Sequence, residues 1–295
     1  MKSRYVLISA VWDEEKYIQE AIESILCQTC LPQKWFIVSD GSTDRTEEIV
    51  KTCALEHSFI ELVHRDRNLK SAGFSSKAHA LNDGAGRARK LDYEFIGHLD
   101  GDISFDSDYY ERQFEEFRRD PKLGITGGFI YELSGSQFVS RPTNRTHSVA
   151  GAIQLFRRSC YEDIRPFVPM AHGGEDWYAE IVARMHGWTV RACPELKVLH
   201  HKSGAGRRGR LKEHFRQGVV DYSFGSHPIF EIAKRLCRIP EKPFLLGAGC
   251  GAAGFFWSMV TRRKLTVPKE VRNYLRQEQL GRVRTLLRWP PGRIS

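Results

Sequence analysis

The residues of this chain whose types and spacing could do chemistry begin with a strand that runs into two carboxylates, Tyr93-Glu-Phe-Ile-Gly-His-Leu-Asp-Gly-Asp102. Phe95, Ile96 and Leu99 are strand-type apolar residues. Asp100 and Asp102 close the run with Gly101 between them. In an extended chain, residues two apart point the same way, so both carboxylates can converge on one hard cation. Oxygen ligands of this kind suit Mg²⁺ or Mn²⁺, which keep several waters and also bind substrate phosphates. Asp-Gly-Asp is equally good turn chemistry, so the other acids must decide. Asp13 and Glu14 follow the apolar run Tyr5-Val-Leu-Ile-Ser-Ala-Val11, and Asp40 and Asp44 bracket a turn after Lys34-Trp-Phe-Ile-Val-Ser39. Acids at three strand ends repel one another unless a cation or a polar ligand lies among them.

The elements that must position these groups alternate. A helix spans Ile18 to about Thr29, with Ile18, Ala21, Ile22, Ile25 and Leu26 at helical spacing. The second strand leads into a helix starting near Thr43 or Asp44, and Ile60-Glu-Leu-Val63 reads as a third strand. This order means a parallel sheet of right-handed crossovers, with ligands beyond the carboxyl ends of its strands. Ser71 to Gly84 reads as a loop feeding a helix that carries Lys77 near its N-terminus, where a phosphate is favoured. Further on come a helix over Tyr109–Arg119, a strand over Leu123–Tyr131, a polar loop over Ser134–Thr146 and a strand over Val149–Phe156. Gly173-Gly-Glu-Asp176 opens a helix running to Gly187. Glu175 and Asp176 suit that helix start whatever they do. Leu196-Lys-Val-Leu-His-His201 is a strand ending in two histidines on opposite faces, followed by a basic, glycine-rich loop to Arg210.

Asp40-Gly-Ser-Thr-Asp44, Lys77-Ala-His-Ala-Leu-Asn82, Asp100-Gly-Asp102 and Gly173-Gly-Glu-Asp176 with Trp177, in this order, resemble glycosyltransferase family 2 over residues 5 to 225. The resemblance implies an α/β GT-A fold, a Rossmann-like, mostly parallel mixed sheet flanked by helices. It implies metal-dependent, inverting transfer of a sugar from a nucleotide-diphosphate sugar to a saccharide or lipid-linked hydroxyl. By the same resemblance Asp40 would read the nucleotide base, with Asp13, Glu14 and Asp44 at that end. Asp100 would touch the ribose or the metal, and Asp102 would ligate Mg²⁺ or Mn²⁺. Lys77 and the basic loop would assist at the diphosphate. One of His200 and His201, by preference His200, would complete the metal site. Asp176 would be the catalytic base with Glu175 in reserve, and Gly151, Gln154 and Trp177 would lie beside the acceptor. Related bacterial enzymes that build polysaccharides carry similar tails.

Charge divides the chain at about residue 225. From Ser226 onward there are 14 Lys and Arg against 4 Asp and Glu, whereas the rest is nearly neutral, with 31 against 32. We therefore expect a transferase domain over 1–225 and a basic, membrane-associating helical region over 226–295. The partner of that region would be an anionic membrane surface rather than a nucleic acid, for no nucleic-acid-binding motif is present. Pro243 to Val260 carries no charge, contains four glycines, and has basic residues on both sides. It reads as re-entrant or in-plane. Val271 to Trp289 reads as an amphipathic interfacial helix, or instead as a packing arm or dimer contact. Seven scattered cysteines and no secretory signal suggest the cytoplasmic side of the membrane. A sugar nucleotidyltransferase would place a basic glycine-rich stretch where Trp12-Asp-Glu-Glu stands. A non-catalytic scaffold would have no use for intact acids in each motif.

Overall fold

The computed structural model of the chain describes residues 3–66, 74–202, 207–241 and 243–288. The expected loop start at 71–73 and part of the basic loop, 203–206, lie outside the described residues. By internal packing the chain forms two compact units, Met1–Gly204 and Ala205–Ser295.

The first unit is built on strands β1 (Tyr5–Val11), β2 (Lys34–Asp40), β3 (Ile60–Arg65), β4 (Phe95–His98), β5 (Ile103–Phe105), β6 (Leu123–Ser134), β7 (Gln137–Ser140), β8 (Leu155–Arg157) and β9 (Thr189–His200). They form one mixed sheet in the order β3-β2-β1-β4-β8-β6-β9-β5, with β7 on β6. The β1–β2, β2–β3, β1–β4 and β6–β9 pairs are parallel. β8 enters antiparallel between β4 and β6. Helices α1 (Ile18–Leu26), α2 (Thr46–Glu56), α3 (Phe74–Ala88), α4 (Tyr109–Arg119), α5 (Arg158–Ile164) and α6 (Glu175–Met185) surround it.

Side chains alternate along a strand, so each face of the sheet takes its own helices. Leu7 and Ile37 join Ile18 and Ile22 of α1 and Phe114 of α4 in one buried cluster. Ile8 and Val38 face the other way, where Gly84 lets α3 approach: a Cβ there would stand 2.5 Å from Ile8 Cγ2.

Two expectations change. Val149–Gln154 is a turn, closed by the Ile153 N–H donating to Ala150 O at 3.0 Å, and the strand begins only at Leu155. The polar stretch after Ser134 contains β7, paired back on β6 through a turn at Gly135 with φ of +65°. α7 (Arg207–Ser223) packs within the second unit.

That second unit holds α7, α8 (Pro228–Cys237), α9 (Leu246–Val260) and α10 (Lys269–Arg288). α7 and α9 touch backbone to backbone. A Cβ on Gly218 would lie 2.0 Å from Gly251 O, and one on Gly254 would lie 2.1 Å from Phe215 O. Val271, Leu275 and Val283 of α10 are buried, so that stripe is used in packing and is not available to lie on a membrane. Leu286 and Leu287 have side chains outside the described set. Among the described residues, no helix is long and apolar enough to cross a membrane. All seven cysteines are free thiols.

Candidate active site

The parallel strands β1, β2 and β4 end on one edge of the sheet, and their acids lie there. Asp100 and Asp102 sit in the turn after β4. Gly101 makes that turn possible, since a Cβ would stand 2.9 Å from Val11 Cγ1 and 3.2 Å from Ile18 Cδ1. The two carboxylates take different partners. The Lys77 ammonium donates to Asp100 Oδ1 at 2.6 Å. His200 Nε2 lies 3.1 Å from Asp102 Oδ2. The antiparallel β5–β9 pairing sets this contact, because it puts His200 opposite Ile103. His201 turns away, with its Nε2 2.8 Å from Ser104 Oγ and its ring edge-on to Phe138.

Glu14 joins the group from β1. Its Oε1 accepts from Lys202 Nζ at 2.7 Å, while its Oε2 is buried without a hydrogen-bond partner, as is Asp102 Oδ1. Burial raises the Glu14 carboxyl above its usual range, and Asp102 and Asp100 add to this against the pull of Lys202. Burial also raises Asp100, with Lys77 opposing and Asp102 reinforcing. Burial alone would raise Asp102, but His200 outweighs it and holds that carboxyl low. His200 is raised in return by the Asp102 carboxylate.

Asp13 and Asp44 knit the loops after β1 and β2 together. Asp13, at φ of +51°, accepts from the Thr43 N–H at 2.8 Å. Asp44 accepts from the Glu15 and Thr46 N–H groups, both at 3.0 Å. An open cleft of about 410 Å³ lies here, bordered by Asp13, Tyr17, Thr43, Asp44 and Lys202. Buried Asp40 is ion-paired with Arg65, its Cα partner in the β2–β3 register. Arg65 also donates to Ser76 Oγ at 3.2 Å. The motif reading did not include Arg65; the parallel register of β2 and β3 was the signal that could have found it.

The α6 start is the second half of the site. Gly173 and Gly174 have φ of +81° and +104°, so the chain swings into the helix with Glu175 and Asp176 in its first turn. Asp176 Oδ2 accepts from the Gly151 N–H at 3.1 Å, and Oδ1 accepts from its neighbour's Trp177 N–H at 2.8 Å. The Gln154 amide donates to Val149 O at 3.2 Å, leaving its Oε1 buried without a hydrogen-bond partner. Glu175 is buried, and burial together with Asp176 raises its carboxyl, opposed by Lys77. Lys77 links the halves. Burial alone would lower its ammonium, but Asp100, then Glu175 and Asp176, hold it high and charged.

The family model described as "Glycosyl transferase family 2" matches residues 6–173 of this chain. The chain belongs to glycosyl transferase family 2. Membership places it among the glycosyltransferases. The poly-beta-1,6-N-acetyl-D-glucosamine synthases of Staphylococcus epidermidis and Staphylococcus aureus are similar family members, each 29% identical over 174 residues, or 52% of this chain. The chain matches 40% of those relatives' own length. Two solved structures share the GT-A fold. One is the mannosyltransferase PcManGT from Pyrobaculum calidifontis, in complex with GDP-Man and Mn²⁺, with a TM-score of 0.57, 18% identity, and 99% of this chain and 82% of that chain covered. The other is Staphylococcus aureus TarS 1–349 in complex with UDP-GlcNAc, with a TM-score of 0.51, 14% identity, and 95% and 80% covered.

A hard divalent cation fits the donors at the β4 end. Among the described residues, no three carboxylate, imidazole or thiolate groups are gathered to hold an ion by themselves. The orphaned Asp102 Oδ1, beside raised Asp100 and Glu14, suits a hard ion that takes one or two carboxylates and completes its shell with waters and substrate phosphates.

The Asp102–His200 pair also sets a pH dependence of stability. Depressed Asp102 stabilises above the ordinary carboxyl value of about 4, and this is lost as pH falls through its lower folded value. Raised His200 stabilises fully below about 6.5 and loses this as pH rises through its higher folded value. Between these limits, with chelator present, His200→Gln is expected to lower Tm by about 2–4 °C, as a loss of about 1 kcal/mol would. Calorimetry at pH 5.5 and at pH 9 checks this. An equal drop at both pH values would show that charge is not the cause.

Proposed function

We propose that this chain is a metal-dependent, inverting glycosyltransferase that moves a sugar from a nucleotide-diphosphate donor to a hydroxyl of a saccharide or lipid-linked acceptor. The observation that carries this reading is the pairing, through Lys77, of an acidic strand end with an acidic helix start. The nucleotide would lie over the edge where β1, β2 and β3 end, between Asp13, Glu14, Asp40 and Asp44. Asp102, with Asp100 and His200 beside it, would share Mg²⁺ or Mn²⁺ with waters and the donor's phosphates; when bound, the ion supplies positive charge to offset that of the leaving diphosphate. His201 is the weaker candidate, for it sits on Ser104.

Asp176 would accept the proton of the acceptor hydroxyl as that oxygen bonds to the anomeric carbon. The bond from that carbon to the diphosphate oxygen breaks on the opposite face, and the nucleoside diphosphate leaves with the electron pair. Glu175 is the reserve base. Trp177 and the Gly151–Gln154 turn would border the acceptor. Lys77, released from Asp100 when a donor binds, would turn to the diphosphate. Polysaccharide synthesis at the inner face of an anionic membrane is the setting this reading implies.

The test is acceptor-dependent release of nucleoside diphosphate from UDP- and GDP-sugars with Mn²⁺, compared with chelator. No release from any donor, with or without acceptor, would favour the non-catalytic scaffold. Gly151→Ala probes the base more finely. The new Cβ would stand 2.8 Å from Asp176 Cβ and 2.9 Å from Oδ2, so Asp176 must move. Turnover is expected to fall about tenfold or more, as small misplacements of catalytic groups do, with donor affinity kept. Unchanged turnover would mean that the position of Asp176 does not matter.

A further inference from the structure

Helix α8 has the reverse of the pattern expected in water. A surface helix normally buries its apolar stripe and exposes its charges. In α8, Glu231 and Arg235 are 0% and 5% exposed, whereas Ile229, Ile232 and Leu236 are 56%, 49% and 60% exposed. The charges are inside because they are ion-paired there, although Glu231 Oε2 and Arg235 Nη1 have no hydrogen-bond partner. Asp221 of α7 accepts from Lys234 at 2.6 Å and from Arg235 at 2.8 Å, and Glu231 accepts from Arg235 at 2.6 Å. The Arg235 guanidinium lies against Gly251 of α9, where any Cβ would collide with it.

α9 repeats the inversion with different residues. Its buried stripe is Gly247, Ala248, Gly251, Gly254, Phe255 and Ser258. Leu246, Trp257 and Val260 point the other way and are exposed, and so are Phe244 and Leu245 in the link from α8. Apart from Phe255, the buried residues are small and the large apolar ones are outside, the pattern of helices whose surroundings are hydrocarbon. Exposed apolar area of this extent marks an interaction surface. Arg262, Arg263 and Lys264 follow α9 directly and are exposed.

We propose that the outward faces of α8 and α9, with Phe244–Leu246 between them, form an in-plane docking surface for an anionic lipid bilayer. Charge complementarity selects this occupant. Lys and Arg near an anionic leaflet are attracted to it, and large apolar side chains beside them enter the headgroup boundary. At 15 residues, α9 is roughly 22 Å long against a hydrocarbon thickness of about 30 Å, so it lies in the interface rather than across it. The surface is on α8 and α9, not on α10, where Val271, Leu275 and Val283 are buried. This deepens the membrane setting proposed above and does not depend on sugar transfer.

The experiment uses the full chain and vesicles of phosphatidylcholine, alone or mixed with phosphatidylglycerol. Wild type is expected to co-sediment with the mixed vesicles and much less with phosphatidylcholine alone. Ile232→Glu with Leu236→Glu is expected to cut partitioning about tenfold or more, with Tm, sedimentation velocity and soluble-donor turnover unchanged. Arg263→Ser with Lys264→Ser should weaken binding to mixed vesicles only. Should the first variant misfold, wild type decides: emission assigned to Trp257, as the difference from Trp257→Phe, should be quenched by brominated lipid. Absence of co-sedimentation, unquenched Trp257, or variants that bind as wild type does would overturn the proposal. So would a wild-type dimer that the first variant dissociates while vesicle binding persists, because the face would then belong to a second copy. Donor turnover without vesicles is measured separately, so failure of the enzyme reading is distinguishable.

Discussion

Asp176→Asn is expected to bind nucleotide sugar as wild type does and to lose at least about a hundredfold in turnover, the lower end of what a general base contributes. The substitution keeps shape and removes basicity. Both oxygens of Asp176 accept backbone N–H groups, from Gly151 and Trp177, so the carboxylate is held in place before any acceptor arrives. An asparagine must turn its amide NH₂ toward one of these donors, which also costs orientation. Donor affinity by calorimetry and acceptor-dependent release of nucleoside diphosphate separate binding from chemistry. A variant with full turnover would eliminate Asp176. Attention would then move to Glu175, which is buried beside it with a raised carboxyl.

Asp102→Asn should have the second large effect, a loss of about a thousandfold in turnover together with loss of divalent-dependent nucleotide binding. A cation that offsets several kcal/mol of developing charge accounts for a change of that size. The local electrostatics point to this carboxylate rather than its neighbour. Asp102 is held in its charged form by His200 and keeps one buried oxygen without a hydrogen-bond partner. Asp100 is bound up with Lys77. Thermal shift gives an independent readout. Mn²⁺ with nucleoside diphosphate at about a hundredfold excess over Kd adds about 2.7 kcal/mol to a protein that binds it. The variant should show no such rise. An equal rise in wild type and variant would place the cation elsewhere.

The local readings that succeeded were of two kinds. The short apolar run Tyr5–Val11 fits a buried strand and is β1. Acids placed directly after such runs have to lie on the carboxyl edge of a parallel sheet. Readings that needed a distant partner did less well. Val149–Phe156 has strand-type residues, yet its first part is a turn whose Gly151 N–H meets Asp176 on another element. The arginine-rich stretch of α10 has interfacial character in isolation, yet Val271 and Leu275 are covered by their own unit. No local pattern indicates that Lys234 and Arg235 of α8 pair with Asp221 of α7.

The turn that began as two aspartates around a glycine shows where the division lies. Residue order alone determined that Asp100 and Asp102 stand at a strand end on the ligand edge, because period and chain alternation are local properties. Which partner each carboxylate takes was decided only in three dimensions. The β5–β9 register brings His200 to Asp102 across 98 residues, and α3 packing brings Lys77 to Asp100 across 23. Gly101 is required because Val11 and Ile18 close over it. Such pairings depend on sheet order and helix packing, which arise from the burial of the whole chain and are not encoded in the spacing of any one motif.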